Sequence, residues 1–130
     1  MASLGSADVP ILILDDDPMV LRAWQRCAKH TGLKVATYSS AGDALEHLAH
    51  RSVLACITDW DLGERTSLGF LQMLASRKPE LPTYVVTGAP DRASLALDSA
   101  GLHVPVLPKS QGVRAVLESV LGRAVTFDVA

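Results

Sequence analysis

The sequence ILILDDD at residues 11–17 is the strongest indication of the fold, because four apolar residues run directly into three aspartates. A short apolar run that ends in turn residues is typical of a buried parallel strand. Three more apolar runs precede a polar residue: residues 55–58 before Asp59, 84–86 before Thr87, and 104–107 shortly before Lys109. In an open α/β sheet ligands bind beyond the carboxyl ends of the strands, so we expect these polar side chains to meet at one edge.

Helical patterns fill the segments between these runs. Strands are predicted at residues 9–14, 33–37, 54–58, 83–86 and 104–107. The predicted helices begin at a cap at Asp17, Ser40 or Asp91, or lie around residues 70–74 and 113–121. Five strands alternating with five helices predict an α/β fold, a doubly wound five-stranded parallel sheet with helices on both faces.

The domain is expected to span residues 9–122. Residues 1–8 are small and polar, which favours a disordered lead. Residues 123–130 form a C-terminal tail that alternates weakly between apolar and polar positions. That tail could be an extra strand, a partner contact or the start of a linker.

The composition is that of an ordinary soluble domain, with 130 residues, 48% hydrophobic residues and a net charge of −2. The sequence has no run of Lys and Arg, and such a run would indicate a surface for direct contact with nucleic acid. The apolar runs are far shorter than the roughly 18 residues of a membrane span, and the first eight residues lack the basic start of a signal peptide. We therefore expect a cytoplasmic protein that does not contact a membrane.

The ordered polar residues resemble the receiver domain of two-component response regulators, over residues 9–121. The resemblance is carried by the apolar run before Asp15 and Asp16, then by Asp59, Thr87 and Lys109, with spacings of 43, 28 and 22 residues from Asp16 onward. It implies a flavodoxin-like three-layer sandwich in which Asp59 is the phosphoacceptor. The donor would be a phosphohistidine on a sensor histidine kinase or a histidine phosphotransfer protein.

The resemblance also assigns roles to the neighbouring residues. It implies Mg²⁺ held by Asp15, Asp16, Asp59 and the backbone carbonyl of Asp61, a phosphoryl group bound by Thr87, Gly88 and Lys109, and dephosphorylation tuned by Asp61 and Ala89. It implies a self-phosphorylating phosphoacceptor with slow autodephosphorylation at most, and not an enzyme. The donor would dock on the rim loops and the helix that begins near Pro18. An output partner would contact the fourth helix, the fifth strand and the last helix.

Three positions depart from the family pattern. Val106 stands where the family usually has an aromatic residue, so the usual inward rotation of a ring has no counterpart there. Ser110 follows the lysine in place of the usual proline. Gly63 replaces a common proline, and the insertion at residues 64–67 is expected to lengthen the lip of the site.

Two other functions fit parts of the pattern. Val106 and Ser110 motivate a receiver fold that binds proteins with weak or no phosphorylation. The pair Asp59 and Asp61 also resembles the first motif of haloacid dehalogenase-type phosphatases, although that motif normally opens the chain and here follows the third strand. Multiple turnover of a small phosphate ester would favour the phosphatase.

Overall fold

The computed structural model describes the backbone of residues 9–129 and the side chains of residues 9–122, so the predicted lead at residues 1–8 lies outside the described residues. The strands are β1 (Ile11–Leu14), β2 (Val35–Tyr38), β3 (Ala55–Asp59), β4 (Asp61–Leu62), β5 (Arg65–Thr66), β6 (Thr83–Thr87) and β7 (Val106–Pro108). The helices are α1 (Pro18–Thr31), α2 (Ala41–His50), α3 (Leu68–Arg77), α4 (Pro90–Ser99) and α5 (Val113–Val129), with a 3₁₀ turn at Lys109–Gln111.

Five strands form one parallel sheet in the order β2-β1-β3-β6-β7, and β4 pairs with β5 in a separate antiparallel hairpin. The strand order reverses between β1 and β3, which is the point where open α/β sheets open a crevice at their carboxyl edge. The predicted doubly wound five-stranded fold is confirmed. Among the described residues, no helix combines the length and the apolar character needed to cross a membrane.

Alternate residues of each strand pack on opposite faces of the sheet, because successive side chains of a strand point to opposite sides. Ile11, Ile13 and Ile57 join one cluster with buried residues of α1 and α5. Leu12 and Leu14 pack on the other face with α2 and α3. Both faces of β1 and β3 are buried. This explains why their sequences are apolar without alternation.

The start of α1 shows how the local sequence fixes an element at the sheet edge. Asp17 caps the helix by accepting a hydrogen bond from the Met19 N–H at 2.9 Å, and Pro18 occupies the first helical position. Gly32 ends α1 with φ at 75°, a left-handed conformation that glycine adopts without steric cost. These predicted boundaries are confirmed.

Strands β1, β2 and β7 begin two residues later than predicted, and three further features differ from the sequence expectation. Helix α4 is capped at Ala89, so the prediction that Asp91 caps it is wrong, and Asp91 lies in its first turn. Pro90 occupies the first helical position and has no N–H that needs a partner, so the helix begins two residues earlier than a cap at Asp91 would place it. The loop after Asp59 contains the hairpin of β4 and β5, with Gly63 in its two-residue turn at φ 69°.

The third difference is the length of α5, whose backbone stays helical through Val129. The strand considered for the tail is therefore not formed by residues 123–129. Extending an existing helix costs little because each added residue gains a hydrogen bond without a new nucleation step. The weak alternation at residues 123–129 is too short to favour a strand over continuation of the helix.

Candidate functional site

The register of β1 and β3 sets two carboxylates side by side at the crevice. Leu14 pairs with Thr58, so Asp15 and Asp59 follow at the same level on adjacent strands. Asp15 and Asp59 continue the positions of Ile13 and Ile57, which face α1 and α5. The pleat and the register together therefore aim both carboxylates at the same space beneath that pair of helices.

The ammonium of Lys109 reaches the same space from β7. Thr87 pairs with Pro108, which puts Lys109 one residue beyond the aligned ends of β6 and β7. Its Nζ donates to Oδ2 of Asp59 at 3.1 Å and lies 3.9 Å from Oδ2 of Asp15. A long flexible side chain can bring its charge back to the level of β3, which a short basic side chain at this position could not do.

Burial raises the pKa of both carboxyl groups. The pKa of Asp15 is raised to about 6, chiefly because burial penalises its charged form, although the hydrogen bond from the Asp17 N–H at 2.9 Å opposes this. The pKa of Asp59 is also raised by burial, against the opposing hydrogen bond from Lys109. These directions mean that the site holds negative charge at a cost, which a bound cation would relieve.

Lys109 responds to the same charges in the opposite sense. Burial alone would lower its pKa, but the hydrogen bond and charge of Asp59, together with the charges of Asp15 and Asp61, outweigh burial and raise it. Lys109 therefore stays protonated near neutral pH. One ammonium faces three aspartates, so the site keeps an excess of negative charge.

A divalent cation fits that excess. One carboxylate oxygen from each of Asp15, Asp16 and Asp59 lies within 4.8 Å of those of the other two. Asp16 is exposed, while Asp15 and Asp59 are 3% and 7% exposed, so the cluster opens toward solvent on one side. Oxygen ligands at an open rim suit Mg²⁺, which binds through a few carboxylates and keeps several waters.

An apolar cavity of about 180 Å³ lies directly against Asp59. Its lining includes Asp59 and Lys109 together with Val20, Trp24 and Val113 of α1 and α5. Apolar walls keep water away from one side of the carboxylates. This gives the physical cause of their raised pKa values.

Thr87 and its neighbours form the other wall of the site. The Thr87 side chain is fully buried, and its hydroxyl accepts a hydrogen bond from the Ala89 N–H at 3.0 Å. A hydroxyl can accept one bond and still donate its own proton to another group. A Cβ built on Gly88 would meet no atom within 4 Å, so the space beside this residue is open.

The lip of the site comes from the hairpin and from α4. The Asp61 N–H donates to Oδ1 of Asp59 at 3.4 Å, and a Cβ built on Gly63 would lie 3.6 Å from Oδ2 of Asp16. On α4, Nη2 of Arg92 lies 4.0 Å from Oδ2 of Asp61. The sequence analysis missed Arg92, because an exposed arginine in a helix carries no spacing signal that ties it to Asp59 or Asp61.

Packing accounts in part for Val106, one of the departures from the family pattern. Val106 packs beside a buried cluster that includes Trp60, Val85, Ala93 and other residues of α3 and α4. Tyr84 is buried in the cluster on the opposite face of the sheet. The ring of Tyr84 therefore cannot replace the missing aromatic residue at position 106, and Trp60 is the aromatic residue of the buried cluster beside Val106.

Two parallel strands that deliver aspartates beside a lysine, at the switch point of a doubly wound sheet, are the arrangement of a receiver domain. A family model described as "Response regulator receiver domain" matches residues 11–119. The chain belongs to this family, as the sequence predicted. Receiver domains are signalling domains of two-component systems. Histidine kinases phosphorylate these domains, and the domains bind Mg²⁺ at an acidic pocket.

Similar proteins agree with the family. The chain is 35% identical over 103 residues to the alginate biosynthesis transcriptional regulatory protein AlgB of Pseudomonas aeruginosa, covering 77% of this chain but 23% of that relative. A CheY-like receiver domain protein from Methanospirillum hungatei superposes with a TM-score of 0.78 at 23% identity, covering 91% of this chain and 94% of the other. A sensor protein from Polaromonas sp. JS666 gives a TM-score of 0.78 at 26% identity, covering 92% and 97%. The chain thus spans about a quarter of the curated relative it matches.

Proposed function

We propose that this receiver domain accepts a phosphoryl group on Asp59 from a phosphohistidine of a sensor histidine kinase or a histidine phosphotransfer protein. The single observation that carries the proposal is the hydrogen bond of 3.1 Å between Lys109 Nζ and Oδ2 of Asp59, inside a cluster of three carboxylates. A buried carboxylate with a fixed counter-charge is suited to act as a nucleophile toward an electron-poor phosphorus atom.

Each residue then has a defined part in the transfer. An oxygen of Asp59 forms the new bond to phosphorus while the bond from phosphorus to the imidazole nitrogen of the donor breaks. Lys109 pairs with one phosphoryl oxygen, and the Thr87 hydroxyl donates to another while still accepting from Ala89. The open space at Gly88 leaves the donor room to approach.

Asp15, Asp16 and Asp59, with the backbone carbonyl of Asp61, would hold Mg²⁺ in this proposal. The cation supplies positive charge that offsets repulsion between the carboxylates and the incoming phosphoryl oxygens. The close approach of the three carboxylates supports this assignment. Asp61 and Ala89 flank the acceptor and would tune hydrolysis, so the domain acts as a phosphoacceptor with slow autodephosphorylation and not as a turnover enzyme.

The proposed partners follow from exposed surfaces near the site. Met19 in the first turn of α1 is 68% exposed, which supports docking of the donor at the beginning of that helix. Leu95 on α4 is 69% exposed, which supports an output partner on the surface of α4, β7 and α5. Phosphorylation adds about −1.5 to −2 charges and would act by shifting the conformations of that surface.

Mass spectrometry of the intact chain tests the acceptor. With a small phosphodonor and Mg²⁺, the wild-type chain is expected to gain one phosphoryl group and Asp59→Asn none. The matched control is Asp98→Asn, an exposed aspartate on α4, which should take up the group normally. Retained uptake in Asp59→Asn would move the acceptor elsewhere and end the proposal.

The second candidate is a binding module that is not phosphorylated, favoured by Val106 at the position of the usual aromatic residue. Trp60 follows Asp59 and is buried, and Trp24 lines the cavity against Asp59, so tryptophan fluorescence reports on an occupied site. Beryllofluoride with Mg²⁺ should change this fluorescence if Asp59 binds the phosphoryl analogue. An unchanged spectrum at saturation would favour the binding module. The phosphatase alternative has no support from the receiver family match over residues 11–119.

A further inference from the structure

The pair formed by Asp61 and Arg92 lies at the outer side of Asp59. Asp61 lies on the segment after β3, and Arg92 lies on α4, which follows the neighbouring strand β6. Their closest charged atoms, Oδ2 and Nη2, are 4.0 Å apart. The pair therefore joins the two chain segments that leave the sheet on either side of the phosphoryl position.

Packing beneath the pair fixes its geometry. Trp60, the residue before Asp61, is 3% exposed, and Ala93, the residue after Arg92, is fully buried. Both belong to one buried cluster with Leu71, Val85 and Leu97. The backbones that carry the two charged groups are thus held by the core, although the charged groups are 57% and 70% exposed.

The carboxylate of Asp61 lies within the electrostatic reach of the acceptor. Its charge acts on both Asp59 and Lys109, and its own N–H donates to Oδ1 of Asp59 at 3.4 Å. A carboxylate in this place can accept a hydrogen bond from a water molecule next to the phosphoryl group. A guanidinium that pairs with the same carboxylate competes with that water for its oxygens.

We propose that Arg92 is a positioning residue that occupies the Asp61 carboxylate and so lengthens the lifetime of the phosphoryl group on Asp59. The inference rests on the proposed function and deepens it. In hydrolysis a water oxygen bonds to phosphorus, and the bond between phosphorus and the Asp59 oxygen breaks with its electron pair returning to the carboxylate. One water proton stays on the new oxygen and the other moves to a phosphoryl oxygen, so dihydrogen phosphate leaves.

The test measures the half-life of the phosphorylated chain after the donor is removed. An exposed ion pair is worth up to about 1 kcal/mol, so Arg92→Gln should shorten the half-life about two- to fivefold. Arg92→Lys should recover part of the difference. The matched control is Arg77→Gln, an exposed arginine in the last turn of α3, which should leave the half-life unchanged. Added salt should narrow the gap between Arg92→Gln and wild type.

Variants made in an Asp61→Asn background separate an action of Arg92 through Asp61 from a direct action of Arg92 on the phosphoryl group. Asp61→Asn should lengthen the half-life, and adding Arg92→Gln to it should change nothing further. Equal half-lives in wild type and Arg92→Gln would overturn the inference, and so would a full effect of Arg92→Gln in the Asp61→Asn background. Absence of uptake in the wild-type chain would instead overturn the proposed function, and this inference with it.

Discussion

Replacement of Asp15 by asparagine should stabilise the metal-free protein at neutral pH. Asp15 is 3% exposed, and its pKa is raised from 3.8 to about 6. Asparagine keeps a side-chain oxygen that can accept the hydrogen bond from the Asp17 N–H, but it carries no charge. The substitution therefore removes the cost of a buried charge with little loss of hydrogen bonding.

The size and sign of the effect follow from proton linkage. Between pH 3.8 and about 6 the unfolded chain has lost the Asp15 proton while the folded chain keeps it, so stability falls as the pH rises. The loss amounts to about 1.4 kcal/mol for each pH unit and reaches roughly 3 kcal/mol above pH 6. Asp15→Asn should thus gain about 2–3 kcal/mol at pH 7.5 and little at pH 4.

Urea unfolding followed by tryptophan fluorescence at the two pH values, in EDTA, measures the gain. Asp98→Asn, an exposed control, should change the free energy of unfolding by no more than about 0.5 kcal/mol. Mg²⁺ should stabilise wild type and have less effect on Asp15→Asn, because the variant has lost a carboxylate ligand. If Asp15→Asn is no more stable than wild type at pH 7.5 in EDTA, or gains as much at pH 4, then a buried charge on Asp15 does not destabilise the protein.

Two further predictions concern the neighbours of the carboxylates. Lys109→Met should raise the pKa of Asp59 further, because it removes the ammonium that pairs with that carboxylate. It should also slow phosphoryl uptake on the order of 10²-fold, measured by intact-mass kinetics. Uptake at the wild-type rate would contradict the role of this ammonium. Gly63→Ala forces an L-residue to φ 69° beside Asp16, so it should cost about 1 kcal/mol of stability. It should also weaken Mg²⁺ binding, measured by titration of the tryptophan fluorescence. The matched control is Gly69→Ala in the helix α3, where the new methyl group meets no atom within 4 Å. This control should raise the free energy of unfolding by about 0.5–1 kcal/mol. Equal behaviour of the two variants would contradict a special role for the hairpin turn.

The arrangement of elements could be predicted because it depends on local signals. Apolar runs ended by aspartates mark strands that are buried on both faces, and a cap with proline or glycine marks each end of α1. These signals act within a few residues of the chain. The convergence of Asp15, Asp59 and Lys109 followed because parallel strands deliver their carboxyl ends to one edge.

Contacts between segments distant in the chain could not be predicted in the same way. The reach of Arg92 to Asp61 depends on how α4 packs against Trp60, and no spacing in the sequence encodes that packing. The short hairpin after Asp59 was not predicted either, because strands of two residues each are too short to show a period in the sequence.

Patterns within consecutive residues predict the sheet, its helices and the set of polar groups at the carboxyl edge, because strand and helix periods are local features of the chain. The charge balance within that set depends on tertiary packing. The raised pKa of Asp15 and the pairing of Lys109 with Asp59 depend on burial and on distances across three strands. These quantities exist only once the strands are in register and the helices exclude water from one side of the site.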